Sequence, residues 1–352
     1  MTYITISSRC NGSPLLQTSS AEPSFPSLKS LNAVTAIREN KADPGSFLLL
    51  AGHAVVEVSR DKTSMTVLAG SIQDTGYKDG NLTVARFAKM LSFTQLENRN
   101  HLLVADKGNK RIRRVDLLNQ VVDTFGKESD SINLDGETLF EHDTYLDLYD
   151  ISSQPRTGII VFTDGGRLCI ICNTESGSAE TVYNSGSLIK LRRIAFGNTK
   201  TYITSQSDGL CIFNSRFELE KCFIPKHDQE ETKSNAFMTP FIFGTQMQRT
   251  VLPSDIYGIE TLSGSTVLVT MAVYEASETG LFTVNINSEN ATNLCFHDST
   301  PNGDMTGGWN INFMTCDYRN GGSFLLISDS TLHIVGDISG RGTNVEQFEL
   351  NG

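Results

Sequence analysis

The chain has 352 residues, of which 39% are hydrophobic, so it contains enough apolar residues to bury a large core. Its net charge of −11 disfavours nucleic-acid binding, which needs a basic face. No apolar run approaches the roughly 18 residues of a membrane helix. The N-terminus also lacks the basic start and apolar core of a secretory signal. The sequence is compatible with a cytosolic protein and with a mature or trimmed chain. Its length fits two average domains or one large all-β domain.

The first 30 residues form a segment rich in Ser, Thr and Pro, with a short β-prone start at 3–6. We expect residues 1–30 to be an arm that pairs along the outer edge of a sheet. We expect residues 31–352 to form a single domain.

One complete local cycle occupies residues 66–126. An apolar strand runs into a Gly/Asp-rich loop, and an apolar run at 102–105 follows. A polar turn at 106–109 then separates that run from further strands at 111–115 and 121–125. Strands alternating with tight turns predict an antiparallel meander, and the return to the starting pattern predicts a repeat.

Similar cycles recur along the whole chain, with short strands, turns rich in Gly, Asn, Asp and Ser, and no helical periodicity. The predicted strands are 34–37, 47–51, 55–58 and 65–69; 90–94, 102–105, 111–115 and 121–125; 146–151, 158–163, 168–172 and 179–183; 193–196, 201–205, 210–213 and 219–223; 256–261, 267–272, 281–284 and 292–296; and 311–316, 323–328, 332–335 and 345–350. Four-stranded sheets repeated in this way bury both faces by packing around an axis. The predicted fold is therefore all-β, a six-bladed β-propeller of four-stranded antiparallel blades.

The cycle at 66–126 resembles the NHL repeat, a propeller-blade motif. The residues that carry the resemblance are Ala69-Gly70, Asp79-Gly80, Phe87, and Val104-Ala105-Asp106 followed by Asn109 and Arg111-Ile112-Arg113. The resemblance covers about one blade and is degenerate elsewhere. Within the motif, we interpret Asp106 and Asn109 as residues that organise the turn through side-chain-to-backbone bonds.

The connections between the predicted blades are long, at 70–89, 126–145, 224–254 and 297–310, whereas turns within blades, such as 197–200 and 214–216, are short. In a meander wound this way, the interblade connections and the second-to-third turns emerge on one face. We call it the long-loop face, and the opposite side the short-turn face. Binding residues are concentrated on loops, so the long-loop face is the expected binding face. The candidate contacts to a partner are Phe237, Phe241, Phe243 and Trp309.

The chain has seven cysteines, so at least one is unpaired. Cys169 and Cys172 have the spacing of a CxxC motif but lie in an apolar strand, which favours packed thiols. A two-residue turn at Arg216-Phe217 would place Cys211 opposite Cys222, as a cross-strand disulfide requires.

Two metal-dependent alternatives follow from the propeller resemblance. Lactonase propellers bind Ca²⁺ near the channel axis, where Asp147, Asp255 and Asn310 are the candidate ligands here. The peptide-amidating lyase, an NHL-type propeller, holds zinc through histidines, but the histidines of this chain are scattered and form no His-x-His or HExxH arrangement.

The best interpretation is a non-enzymatic domain that needs no cofactor and binds a protein or peptide. The alternatives are a zinc- or calcium-dependent lyase or lactonase, and an RNA-binding NHL domain, which the acidic charge disfavours. The cross-strand disulfide would favour an extracellular or cell-surface setting over the cytoplasm.

Overall fold

The computed structural model describes residues 5–7, 17–18, 34–60, 64–125, 133–134, 137–138, 147–155, 157–172, 174, 177–186, 190–206, 209–223, 256–263, 265–273, 278–287, 290–294, 311–317, 323–328, 331–335 and 344–349. Across these residues the regular structure consists of β-strands and one short 3-10 turn, Lys107–Asn109. No helix in the described residues is long and apolar enough to span a membrane. Two short strands, β1 (Thr5–Ser7) and β2 (Gln17–Thr18), come first in the chain.

One compact unit covers Glu22–Ile194 and Glu349–Gly352. Its first meander consists of β3 (Val34–Glu39), β4 (Phe47–Ala51), β5 (His53–Val58) and β6 (Met65–Ser71). The second meander is β8–β11 and carries β7 at its outer edge: β7 (Gly80–Asn81), β8 (Met90–Gln95), β9 (His101–Asp106), β10 (Arg111–Asp116) and β11 (Val121–Thr124). A small hairpin follows, β12 (Asn133–Leu134) and β13 (Glu137–Thr138). The third meander consists of β14 (Leu148–Ser153), β15 (Ile160–Asp164), β16 (Arg167–Ile171) and β17 (Ala179–Asn184).

The other compact unit covers Met1–Ala21 and Ala195–Phe348. Its sheets contain β18 (Lys190–Phe196, which crosses the unit boundary), β19 (Thr201–Gln206), β20 (Gly209–Phe213) and β21 (Leu219–Phe223); β22 (Ile256–Ser263), β23 (Thr266–Val273), β24 (Glu278–Asn285) and β25 (Asn290–Leu294); and β26 (Ile311–Asp317), β27 (Ser323–Ser328), β28 (Thr331–Val335) and β29 (Asn344–Glu349). The strands of each sheet are ordered as in the sequence, β18 to β21, β22 to β25, and β26 to β29.

The N-terminal strands extend two of these sheets. β1 pairs in parallel with β25, with Ile6 opposite Ala291, and β2 pairs in parallel with β29, with Gln17 opposite Asn344. These two pairings are the described part of residues 1–30, and the arm as a whole stays a prediction. Covering an outer edge in this way satisfies backbone groups that would otherwise be open to another chain.

The inner strand β8 is buried because it packs between β3 of the first meander and β14 of the third. All five residues of β4 and all six residues of β8 are buried, which explains their continuous apolar runs. A cluster between the second and third meanders includes Leu103, Ile112, Ile151, Phe162 and Cys169. Burial at this level stabilises by about 25 cal/mol for each Å² of apolar surface removed from water.

Polar residues on β8 satisfy their hydrogen bonds across the meander boundaries. Ser92 Oγ donates to Ile151 O at 3.3 Å, and Thr94 Oγ1 donates to Ser153 Oγ at 2.9 Å. Because buried polar groups are costly unless bonded, these contacts fix how β8 and β14 face each other. The expected all-β class and the four-stranded antiparallel meanders are confirmed.

Candidate functional site at the long-loop face

The connection between β6 and β8, residues 72–89, is a folded loop held by the guanidinium of Arg113 on β10. Arg113 is fully buried and donates to Asp79 Oδ1 at 2.6 Å and to Asp106 Oδ2 at 3.1 Å. It also donates to the carbonyl oxygens of Lys78 at 2.9 Å and Arg86 at 3.0 Å. One cation therefore binds two carboxylates and two points of the loop backbone, so that the long connection has a defined conformation.

Two aromatic rings complete the environment of this guanidinium. The centroids of Tyr77 and Phe87 each lie 5.0 Å from the Arg113 guanidinium carbon. The Arg113 Nε is buried without a hydrogen-bond partner, so the ring contacts and the other four bonds offset its desolvation.

Asp106 and Asn109 bind the same loop from the β9–β10 turn. Asp106 Oδ1 accepts from Ala88 N at 3.0 Å, and Asn109 Nδ2 donates to Asp106 Oδ2 at 2.7 Å and to Gly76 O at 2.8 Å. Burial raises the pKa of the Asp106 carboxyl, and the bonds from Asn109, Ala88 and Arg113 oppose this increase. Both side chains bond to backbone groups, as expected, but these groups belong to the connection 72–89 and not to the turn at 106–109 itself.

The turn after β9 packs closely against the end of the long connection. A Cβ added at Gly108 would lie 2.6 Å from Lys89 N and 2.5 Å from Ala88 Cβ, so a side chain there would force the backbone apart. His53, the first residue of β5, has its Nδ1 2.8 Å from Ala88 O. These contacts place the turns after β4 and β9 at the same face as the connection 72–89.

A second group of charged residues surrounds Tyr149 on β14, and we call it the Tyr149 cluster: Lys107, Asp147, Tyr149, Arg192 and Arg193. The Lys107 ammonium lies 5.3 Å from the Tyr149 ring centroid, and the guanidinium carbons of Arg192 and Arg193 lie at 5.1 Å and 5.2 Å. Lys107 also forms an ion pair with Asp147. The cluster therefore combines residues of the second and third meanders with the start of β18.

Backbone bonds fix the start of each contributing strand. Gly165 N donates to Asp147 O at 2.9 Å, and Leu191 N donates to Gly165 O at 2.7 Å. The Asp147 amide donates to the buried Asp164 carboxylate, which pairs with Arg167. The network places the cluster at the ends of inner strands and second-to-third turns, which is the long-loop face.

The cations in this part of the face differ in whether a carboxylate pairs with them. Lys107 pairs with Asp147, Arg167 pairs with Asp164, and Arg193 lies 4.0 Å from Asp150 while donating to Leu91 O at 2.9 Å. Arg192 is half-buried, and among the described residues no carboxylate lies within ion-pair distance of its guanidinium. Two exposed cations, Lys89 and Lys190, also have no carboxylate of the described residues within ion-pair distance.

Most candidate residues of the sequence analysis lie outside the described residues. These are the candidate partner contacts Phe237, Phe241, Phe243 and Trp309, and the candidate metal ligands Asp255 and Asn310. Asp147 is described, and its carboxylate is engaged by Lys107. Among the described residues no group of three or more His, Cys, Asp or Glu side chains is placed to hold a metal ion.

The Cys211–Cys222 disulfide is present and joins β20 to β21, where the two residues are directly opposite. The predicted two-residue turn at Arg216-Phe217 is wrong. The turn spans Asn214 to Glu218, with Asn214 N donating to Glu218 O at 3.0 Å. A register shift after Ile212 compensates for the longer turn and restores the cysteine pairing.

The two cysteines of the CxxC segment have different environments. Cys169 is buried, as expected, but Cys172 is exposed, which corrects the interpretation of both as packed thiols. Burial raises the pKa of Cys169 to about 12. Burial and the neighbouring Glu180 carboxylate raise the pKa of Cys172 as well, so neither thiol has the lowered pKa of a reactive cysteine.

Sequence reasoning missed Tyr149 and the role of Arg192. The adjacent pair Arg192 and Arg193 is visible as one of few tight basic groups in the sequence. The aromatic residue that brings them together with Lys107 lies more than 40 positions away from both, and nothing in the local pattern marks it.

No protein-family model matches the sequence, and no curated protein is significantly similar to it. Among solved structures, catalytically inactive virginiamycin B lyase from Staphylococcus aureus with quinupristin is 12% identical, with a TM-score of 0.54 over 92% of this chain and 86% of that chain. Hydrazine synthase from Kuenenia stuttgartiensis is 11% identical, with a TM-score of 0.55 over 90% of this chain and 78% of that chain. At these identities the likeness concerns the fold alone: an all-β, propeller-like arrangement of four-stranded antiparallel sheets.

Proposed function

We propose that this chain is a six-bladed, NHL-like β-propeller that binds a protein or peptide through its long-loop face, without catalysing a reaction. The observation that carries the proposal is the difference between the two faces of the meanders. On the long-loop face, the connection 72–89 is long and held by a buried arginine, and the Tyr149 cluster is partly exposed beside it. Rigid loops on a strand scaffold are a usual place for binding residues.

Two turns of the short-turn face, both among the described residues, offer much less surface for recognition. The turn after β8 closes with Leu96 N donating to His101 O at 2.9 Å, and the turn after β18 closes with Gly197 N donating to Lys200 O at 2.8 Å. Tight turns of this kind expose a few polar side chains and no elaborated loop. The contrast between the faces is the reason for placing the partner on the long-loop face.

We also propose an extracellular or cell-surface setting, with the cytoplasm as the alternative. Support comes from the Cys211–Cys222 disulfide, since disulfides persist mainly in oxidising compartments. The metal-dependent lyase or lactonase is the second candidate, but no observation in the described residues favours it over binding.

Affinity capture with identification by mass spectrometry tests the proposal. The immobilised chain is compared with a variant carrying Phe237→Ala, Phe241→Ala and Phe243→Ala, and with a Trp309→Ala variant. We expect these variants to lose a partner that the unaltered chain retains, because buried aromatic anchors supply much of the free energy of an interface. A matched variant on the short-turn face, Arg60→Ala, should retain it. The proposal is wrong if every captured protein binds the aromatic variants and the unaltered chain equally.

A further inference from the structure

We propose that the Tyr149 cluster binds a carboxylate group in an acidic segment of the partner protein, with Arg192 as the residue that contacts it. This inference rests on the proposed function, in which the long-loop face binds a protein or peptide. It goes further by naming the chemistry of the ligand and the residues that recognise it.

Arg192 is positioned by its ring contact rather than by an acidic neighbour. Its guanidinium carbon lies 5.1 Å from the Tyr149 centroid. No carboxylate in the described part of the chain pairs with it. A guanidinium held over an aromatic ring still presents its N–H groups at the edge of the plane, where a carboxylate accepts two parallel bonds. Because the ring contact already restricts the side chain, less conformational entropy is lost when the ligand binds.

The surrounding charges favour an anion at this position. Arg193 lies beside Arg192 on the same ring, and Lys107 occupies a third position around it. Among the described residues, two acids of this region are engaged: Asp147 pairs with Lys107, and Asp150 accepts from Ile194 N at 2.7 Å. Counted over the described residues, Arg192 and the exposed Lys89 and Lys190 therefore leave a local excess of positive charge in a chain whose net charge is −11.

An acidic protein segment fits this surface better than a nucleic acid. The basic group is small and lies on an acidic molecule, so a long polyanion would be repelled beyond the few cations around Tyr149. Nucleic-acid binding depends on many phosphate contacts along an extended basic surface. By contrast, the edge of the Arg192 guanidinium and the neighbouring ammonium groups are enough to bind one or two side-chain carboxylates.

Fluorescence anisotropy with a short, fluorescein-labelled, glutamate-rich peptide tests the inference directly. We expect saturable binding that weakens as salt is added, because the contact is between partly exposed charges. Arg192→Ala should weaken binding roughly tenfold or more, which is the loss expected for a hydrogen bond to a charged group. Arg192→Lys should recover only part of the affinity, because lysine keeps the charge but lacks the planar fork.

Two controls separate recognition from folding and from nonspecific charge. Arg60→Ala removes an exposed cation on the short-turn face, where Arg60 pairs with Asp43, and should leave the affinity unchanged. Circular dichroism and urea unfolding establish that each variant is folded. A single-stranded oligonucleotide of matched charge should compete poorly for the labelled peptide.

The inference is overturned if the unaltered chain fails to bind the peptide, if Arg192→Ala binds it as tightly, or if the oligonucleotide displaces it more effectively than unlabelled peptide does. These results are distinguishable from failure of the proposed function. If the loop aromatics are needed for partner capture while Arg192 is not, the long-loop face still binds a protein and only the carboxylate contact is wrong.

Discussion

Arg113 and Arg114 are neighbours on β10 whose side chains point to opposite faces of the sheet and enter different environments. The Arg113 side chain is 0% exposed, whereas Arg114 pairs with Asp123 at 2.5 Å with the two side chains 28% and 35% exposed. Replacing each arginine by alanine therefore removes a cation from the same strand in a buried and in a partly exposed setting. We predict that Arg113→Ala is much more destabilising than Arg114→Ala.

The expected difference in the free energy of unfolding follows from the polar groups that each substitution leaves without a partner. Without Arg113, the fully buried Asp106 carboxylate loses its cation, and the carbonyl oxygens of Lys78 and Arg86 lose a donor. Breaking a buried ion pair by removing one partner costs about 3–5 kcal/mol. An exposed pair contributes about 0.2–1 kcal/mol, so Arg114→Ala should lower the free energy of unfolding by no more than that.

Urea unfolding followed by far-ultraviolet circular dichroism measures both values. Asp79→Asn provides an intermediate case, because Asp79 is 26% exposed and Asp106 still accepts from the guanidinium. We expect it to cost about 1–2 kcal/mol. If Arg113→Ala and Arg114→Ala differ by less than about 1 kcal/mol, the reasoning that Arg113 holds the long connection in place is refuted.

Three further predictions concern stability and reactivity. The double variant Cys211→Ser with Cys222→Ser should lower the free energy of unfolding by roughly 3 kcal/mol, as loop closure predicts for residues 11 apart; an unchanged urea midpoint would argue against the bond. Burial raises the pKa of Asp116, but the hydrogen bonds from Asn119 and His101 outweigh burial and hold this pKa below 3.8. The ionised carboxylate therefore stabilises the fold above pH 3.8, and this contribution is lost as the pH falls through the lower pKa of the folded state. Asp116→Asn should therefore be less stable at neutral pH and lose less stability on acidification; equal losses in urea titrations over that range would contradict this. Iodoacetamide should modify Cys172 in the folded chain and reach Cys169 only after unfolding, as peptide mass spectrometry of the alkylated protein would show, whereas equal labelling would contradict the burial of Cys169.

The strands were predictable wherever burial on both faces made an apolar run. The predicted strand at 47–51 coincides with β4, and the run at 102–105 lies within β9. The pairing of β7 with β11 was not predictable, because β7 is only two residues of a Gly/Asp-rich loop and has no periodicity. Its position depends on Arg113, whose contacts reach residues 34 positions away along the chain.

The hairpin that carries the disulfide shows why a correct pairing can come from an incorrect turn. Asn214 Oδ1 accepts from Arg216 N at 2.9 Å and from Glu218 N at 3.0 Å, which favours the wider turn. Phe217 then adopts a φ of 61°, in the left-handed region that an aromatic residue rarely occupies. The two-residue turn was predicted only because it places the cysteines opposite each other, and the extra residue of the wider turn reappears as the irregularity between Ile212 and Phe213.

The Tyr149 cluster was beyond sequence reasoning for a different reason. Its members come from the turn after β9, the start of β14 and the start of β18, and each is locally an ordinary polar residue at a strand end. Only the packing of successive inner strands brings Lys107 and Arg192 to the same ring. Such a site is set by tertiary contacts, for which a single sequence carries no periodic signal.

Hydrogen–deuterium exchange of the chain, with and without the partner recovered by affinity capture, tests most directly whether the long-loop face binds. We predict that binding slows exchange in the connection 72–89, the turn at 165–166 and the start of β18, because a partner docked there excludes water from those amides. Exchange in the turns at 96–100 and 117–120 should stay unchanged. Protection confined to those short turns, with none in the connection 72–89, would contradict the account.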